Sequence, residues 1–318
     1  IFGAKVFTTE IFTQFTAFYN HSLAILQSAL LVLLCILLLL AERKSIANAP
    51  FLSIGEKGSN TKLYHLKNRG LGFVFLAAWF LVSVVLPFMV LFIQSFQNGI
   101  GDFNRAFNLL KPTFANSMGL ALTGALIMVF IGFVVAYYSE TQNKNSLVWI
   151  LLIVFAIPSI IVGISLIKFY NRPMLDFIYS GPLIILIGYV GKFSFISAKL
   201  IANAIKQIPK SLDEAAQIEG ISFFNRMRKI LIPLIMPALF AAFIISFIFN
   251  LGELGMTIML YPPGTEIMPI KVFTIMANAP QALTSSMTLI VFSLNLLVIT
   301  VMYFMITPLI KTRSYVNY

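Results

Sequence analysis

Residues able to do chemistry are few in this chain of 318, and they are scattered. It holds two histidines, His21 and His65, and one cysteine, Cys35. The histidines fall in different polar segments and the cysteine lies in an apolar run, so their spacing assembles neither a metal cluster nor a nucleophile–base pair. No G-x(4)-G-K-[ST] phosphate loop occurs, so no nucleotide site is offered. The sequence therefore assigns no catalytic residue, no metal ligand and no cofactor. Three features remain: an acid-bearing polar cluster from Ser211 to Gly220, an acid at the end of an apolar run (Glu253), and a lysine inside one (Lys192).

The cluster reads as a short, rigid helix. Ser211-Leu212-Asp213-Glu214 fits a capping box, with Ser211 as N-cap and Glu214 three residues on. Asp213 and Glu214 sit at the favourable end of the helix dipole. Ala215, Ala216, Gln217, Ile218 and Glu219 continue the helix, and Gly220 supplies a left-handed stop. A second short helix from Ser222 to about Lys229, carrying Arg226, leads into the next apolar stretch. Ala215 and Ala216 keep the surface low for another protein's approach. Phe223 and Phe224 are large apolar side chains on a polar segment, which suits them as anchors in a partner's groove.

The elements that position these residues must be membrane spans. Hydrophobic residues make up 59% of the chain and charged ones 10%, too little charge to cover a soluble surface of this size. A bilayer core takes about 20 apolar residues as helix, because lipid offers unpaired backbone groups no partner. Six uncharged stretches reach that length: 22–41, 72–94, 116–138, 146–167, 230–252 and 285–310. A seventh, 182–205, carries Lys192 and Lys199. The fold class is thus all-α and polytopic, with seven transmembrane helices. Stretches 95–115 and 168–181 read as short loops, and 253–284 as a longer one holding a helix or re-entrant segment.

Basic residues orient the spans. Segments 42–71, 139–145, 206–229 and 311–318 lie on one side by alternation and hold 14 of the 22 Lys and Arg, against 6 in the opposite set. The first set is read as cytoplasmic, with the C-terminus. The same asymmetry accounts for the net charge of +11 without a nucleic-acid partner. Pro158, Pro233 and Pro237 lie within spans, either as kinks that let a transporter bend or simply as prolines common in such helices. Lys199 snorkels to the interface. Lys192 either snorkels outward or lines a polar path, and Glu253 either marks a pathway or caps the turn after it.

Glu214-Ala215-Ala216, Gly220, Ile230 and Pro233 match the pattern E-A-A-x(3)-G-x(9)-I-x-L-P, with Ile232 in place of its leucine. This loop resembles the one that marks binding-protein-dependent ABC importer permeases. The resemblance covers about 72–310 and implies a six-helix type I importer permease domain. It implies that loop 206–229 is the coupling loop docking on a cytoplasmic ABC ATPase dimer, through Ser211, Asp213, Glu214, Ala215, Ala216, Glu219, Gly220, Phe223, Phe224 and Arg226. It further implies an extracytoplasmic binding protein as partner and the bacterial inner membrane as location. The stretch around Glu253 resembles the ferric-iron branch, whose relatives carry thiamine, phosphonates and sulfate. Glu253, Lys192 and Pro158 are the pathway candidates.

Residues 1–41 do not look like the start of such a domain. Lys5-Val6-Phe7-Thr8 recurs as Lys271-Val272-Phe273-Thr274, each followed by an apolar run that ends in charge. We read 1–41 as the last external segment and span of a preceding permease half, 42–71 as a cytoplasmic linker, 72–310 as the complete domain, and 311–318 as a tail. On this reading 1–41 should superpose on about 265–310 and pack apart from the six-span unit.

Overall fold

The computed structural model describes residues 6–46, 69–142 and 144–314, and every regular element among them is helical. The chain opens with α1 (Phe7–Thr16), α2 (His21–Ile46), α3 (Arg69–Phe80) and α4 (Leu86–Ser95). The 42-residue α5 (Gly101–Gln142) follows, then α6 (Ser146–Ala156), α7 (Ser159–Tyr170), α8 (Asp176–Tyr179) and α9 (Leu183–Lys206). After these come α10 (Lys210–Ile218), α11 (Phe223–Arg226), α12 (Ile232–Gly252), α13 (Thr257–Leu260), α14 (Met268–Met276) and α15 (Gln281–Ser314). Most of the expected linker, with His65, and the end of the expected tail lie outside the described residues.

Among the described residues six helices are long and apolar enough to cross a membrane, and the bent pair α6–α7 brings the number to seven if it counts as one span. The expected seven is reached only with that pair, and two of the expected shapes are corrected. The stretch 146–167 is not one straight span: the chain bends by 102° between α6 and α7. Pro158 has no N–H to continue the ladder and forces the residue before it out of helix, so Ile157 and Pro158 take extended backbone with ψ of 131° and 139°. Nor is 95–115 a loop throughout, because α5 starts at Gly101 and runs through Arg105, Lys111 and Pro112. Charge at a helix end marks where it leaves the apolar layer, not where its hydrogen bonding stops.

Two other prolines act more gently. A π-turn at Leu81–Val85 joins α3 to α4 just before Pro87, and another at Met227–Leu231 joins α11 to α12 just before Pro233. In each case the turn contains the residue four before the proline, whose carbonyl the ring would strike. The extra residue per turn absorbs that clash and the span continues.

Among the described residues, 6–46, 116–142, 144–266 and 302–314 form one compact unit, and 69–115 with 267–301 a second. Within the first, α9 and α12 pack along their lengths, with Ala136 of α5 against Ile201, Ala202, Ile235 and Ala242. Lipid is as apolar as leucine, so such contacts rest on close fit and polar links, not on expulsion of water. Gly132 shows how close: a Cβ there would stand 2.6 Å from Ser197 Cβ. Ser197 in turn reaches Ser246 of α12 at 2.7 Å, hydroxyl to hydroxyl, and Asn250 Nδ2 donates to the Ala121 carbonyl of α5 at 3.3 Å.

The same unit contains α1 and α2, which corrects the expectation that they pack apart. Ile11 of α1 is buried with Ile161 and Ile164 of α7, flanked by Leu31 and Val32 of α2. The remaining flank of α2 is bare, with Leu26, Leu30 and Leu38 all well exposed. The hairpin therefore leans on α6 and α7 by one edge. In the second unit Phe88 and Phe292 rings meet at 4.2 Å, and Ser285 and Ser286 donate to Gln94 Oε1 and the Ser95 carbonyl.

The short-helix, four-residue link, long-helix order of α1–α2 recurs in α14–α15. The repeated tetrapeptide does not share that register: Val6 and Phe7 open α1, whereas Val272 and Phe273 lie in the middle of α14.

Candidate functional site

Two places in the first unit gather the polar residues. One is the loop between α9 and α12. Ile208 N–H closes a turn on the Ile205 carbonyl, and Pro209, with ψ of 129°, points the chain into α10. The N-cap is Pro209 and not Ser211, and no side-chain cap forms there. Leu212 N–H already reaches the Pro209 carbonyl at 3.1 Å, so Ser211 lies inside the first turn and the expected capping box with Glu214 does not exist. Pro209, in extended backbone, stands just outside the first turn, so the helix begins at Lys210, one residue ahead of the serine.

The other end behaves as expected. Gly220 has φ of +71°. Its N–H donates to the Gln217 carbonyl, and Ile221 N–H to the Ala216 carbonyl, both at 3.0 Å. That is the paired Schellman closure, which satisfies carbonyls the helix would otherwise leave bare. Across the turn Arg226 Nε lies 3.1 Å from Asp213 Oδ1, and Gln217 Nε2 donates to Asp213 Oδ2 at 2.8 Å. Tyr137 of α5 meets the Phe223 ring edge-on at 5.9 Å, tying α11 to the bundle.

The outer face of this loop carries large apolar side chains among polar ones. Ile218 is 86% exposed and Phe224 72%, with Leu212, Ile221 and Phe223 also exposed. Ser211, Glu214, Ala215 and Glu219 are exposed among them. Ala216 is buried, so of the two alanines only Ala215 lowers the outer surface. Behind α10, a cavity of about 560 Å3 opens between α9 and α12, lined by Asn203, Gln207, Leu212 and Pro237 among others.

The second place is deep in the spans and brings together all three residues singled out as pathway candidates. Lys192 is buried at the middle of α9. Its ammonium donates to the Phe155 carbonyl at 2.7 Å and to the Ile157 carbonyl. Those carbonyls are at the C-terminal end of α6, where the break at Pro158 leaves acceptors unused and the helix dipole is negative. On the other side of Pro158, Ser159 opens α7 and donates to Glu253 Oε2 at 3.3 Å. Glu253 Oε1 accepts from Met256 N–H at 2.7 Å, and Thr257 Oγ1 donates to the Glu253 carbonyl at 3.2 Å. Of the two readings of Glu253, capping of the following turn is thus realised, while the carboxylate also faces a cavity.

That cavity, of about 450 Å3, is lined by Phe155, Ser159, Lys192, Phe193, Phe249 and Glu253 among others. The Lys192 ammonium stands 5.6 Å from the centre of the Phe155 ring, close enough for cation–π attraction. Sequence reasoning did not find Ser159, nor the Phe155 and Ile157 carbonyls. Backbone acceptors carry no letter in a sequence; only the proline beside them signals their release. Pro233 and Pro237 lie elsewhere on α12 and do not join this cluster.

A helical bundle with a capped loop between two spans, and a charged cleft inside them, describes a transporter's membrane component. The chain belongs to the binding-protein-dependent transport system inner membrane component family, whose model matches residues 128–311. It is a permease of the ABC importer class. Over 307 residues it is 24% identical to the Fe(3+)-transport system permease protein FbpB 2 of Haemophilus influenzae, covering 92% of this chain and 59% of that protein. The chain thus spans about three-fifths of the length of that relative. It is 26% identical over 250 residues to a putative 2-aminoethylphosphonate transport system permease protein, PhnV, of Salmonella typhimurium, covering 73% of this chain and 92% of that one. Among solved structures it resembles a chain of a bacterial alginate ABC transporter in complex with a periplasmic protein, at a TM-score of 0.63 and 17% identity, over 74% of this chain and 92% of that chain. A chain of the MetNI methionine ABC transporter matches at 0.54 and 18%, over 63% and 96%. At these identities the structures speak for the fold.

Proposed function

We propose that this chain forms one wall of an import pathway for ferric iron and is driven by a separate cytoplasmic ABC ATPase dimer that grips α10. The observation that carries this reading is the loop 206–229. A two-turn helix with a left-handed glycine stop presents Ile218 to the outside, and α11, braced to it by Asp213 and Arg226, presents Phe224. Aromatic and aliphatic side chains held on a rigid element are what a docking cleft needs. The chain itself hydrolyses no ATP and needs no cofactor. Loop 206–229 and the C-terminus face the cytoplasm of a bacterial inner membrane, and an extracytoplasmic binding protein delivers substrate to the opposite side.

The likeness to a ferric permease over nearly the whole chain supports iron as substrate. The likeness to the aminoethylphosphonate permease supports a second reading, the same machine with a phosphonate as cargo; thiamine and sulfate are further cargoes within the family. A lone half exposes one wall of a pathway, so a second permease half supplies the other. The bare flank of α2 and the helix order shared with α14–α15 support 1–41 as the last span of that half, fused upstream.

The test is ATP hydrolysis by the complex in proteoliposomes. Iron-loaded binding protein should stimulate it, and phosphonate-, thiamine- or sulfate-loaded proteins should not. Stimulation by one of those and not by iron would overturn the substrate and leave the importer. A secondary transporter would show uptake with no dependence on ATP.

A further inference from the structure

The break at Pro158 is held from both sides by residues of the two helices that bracket the coupling loop. Lys192 belongs to α9, which enters that loop. Glu253 follows α12, the span that leaves it without interruption from Phe223 to Gly252. The ammonium lies on the C-terminal end of α6 and the carboxylate on the first residue of α7. Each charge therefore meets the helix end of opposite polarity.

The arrangement is costly to maintain by accident. A lysine at the middle of a span is costly to insert, and a broken span leaves backbone groups that lipid cannot satisfy. Here each defect answers the other. Glu253 is fixed further by Met256 N–H, and Met256 is fully buried at Gly188 of α9, where a Cβ would stand 2.6 Å from its sulfur. The segment after Glu253 is thereby wedged between α7 and α9, with Gly255 against Ser159. α9 and α12 pack along their lengths and share the Ser197–Ser246 link, which joins them into one packed body.

We infer that Lys192 and Glu253 are positioning residues that transmit motion of the coupling loop to the bent span α6–α7, whose angle sets the shape of the cavity at Phe155, Phe193 and Phe249. A shift of α10 carries the α9–α12 body with it. The two charges then pull on the opposite stubs of the break, which is the natural hinge because Ile157 and Pro158 already lie outside helix. The transmission rests on the docking of α10 to an ATPase proposed above; the hold on the bend does not.

Two measurements test it in the full chain. Spin labels at Leu147→Cys and Phe169→Cys, with Cys35→Ser, report the bend in lipid nanodiscs. At 1.5 Å per residue their backbones are about 20 Å apart at the observed angle and about 33 Å apart if the span straightens. Lys192→Met, which keeps the apolar stem, should add a long-distance population. Lys192→Arg, whose guanidinium can still donate to both carbonyls, should keep the short one, and Glu253→Gln should lie between. In the complex with its ATPase and binding protein, Lys192→Met should retain hydrolysis within about threefold while uptake falls about tenfold or more. Unchanged label distances in both Lys192→Met and Glu253→Gln would overturn the inference, as would equal losses of hydrolysis and uptake. A wild-type complex that hydrolyses no ATP would remove the docking reading and the transmission with it. The label distances then still decide whether the two charges hold the bend.

Discussion

Asp213 and Arg226 meet at 3.1 Å across the left-handed turn at Gly220, joining the helix that faces outward to the one that enters the next span. The arginine side chain is 16% exposed and the aspartate 50%, so solvent screens one partner well. The pair is accordingly worth about 0.5–1 kcal/mol at most. A double-mutant cycle of Asp213→Ala and Arg226→Ala on thermal stability should return a coupling of that size, shrinking in high salt. Strict additivity of the two changes would mean the contact contributes nothing.

Gly220→Val should abolish uptake while leaving membrane insertion intact. Space is not the obstacle, since a Cβ at Gly220 would meet nothing within 4 Å. The obstacle is φ of +71°, a region that costs an ordinary residue about 1–2 kcal/mol and a β-branched one more. Gly220→Asn, which tolerates that region, should keep most activity. Full uptake by the valine variant would show that the end of α10 does not matter to docking.

Gly132 and Gly119 form a matched pair on α5. A Cβ at Gly132 would collide with Ser197 Cβ and stand 2.8 Å from Ala198 N, while one at Gly119 meets nothing within 4 Å. Gly132→Leu should lower stability in detergent by about 1–3 kcal/mol through forced separation of α5 from α9. Gly119→Ala should be neutral or slightly stabilising. Equal melting temperatures for the two variants would argue against the close approach.

Deletion of the gene should slow growth on low iron and be rescued by excess iron salt, if ferric iron is the cargo. A growth defect confined to phosphonate as phosphorus source would move the assignment to that substrate. Either result leaves the reading of the docking loop unchanged, because that reading rests on α10 and not on the cargo.

Fusion to a preceding half makes a claim about size. An antibody against the Lys210–Ile218 segment should detect, in native membranes, a single product larger than this 318-residue chain. A product of this length that assembles with a separate permease would leave α1–α2 needing another explanation.

Sequence alone determined whatever depends on transfer to lipid or on near neighbours. The six long spans were legible because an apolar run of about 20 residues has one stable fate in a bilayer. The stop at Gly220 was legible because a left-handed turn needs glycine within the same short segment. Local signals failed where two competed: Pro209 and Ser211 both announce a helix start, and the proline prevailed. They failed again at Ala216, whose burial depends on which face of α10 turns inward. Pro158 announced a disturbance in its span, but neither the angle nor its use. Tertiary structure decided that Lys192, 34 positions further on, supplies the donors for carbonyls freed by that proline, and that Glu253 takes the other side of the break through Ser159. A buried charge declares in sequence only that it needs a partner. Where the partner is a backbone carbonyl, which every residue has, only the packing of α9 against α6 can say which one it is.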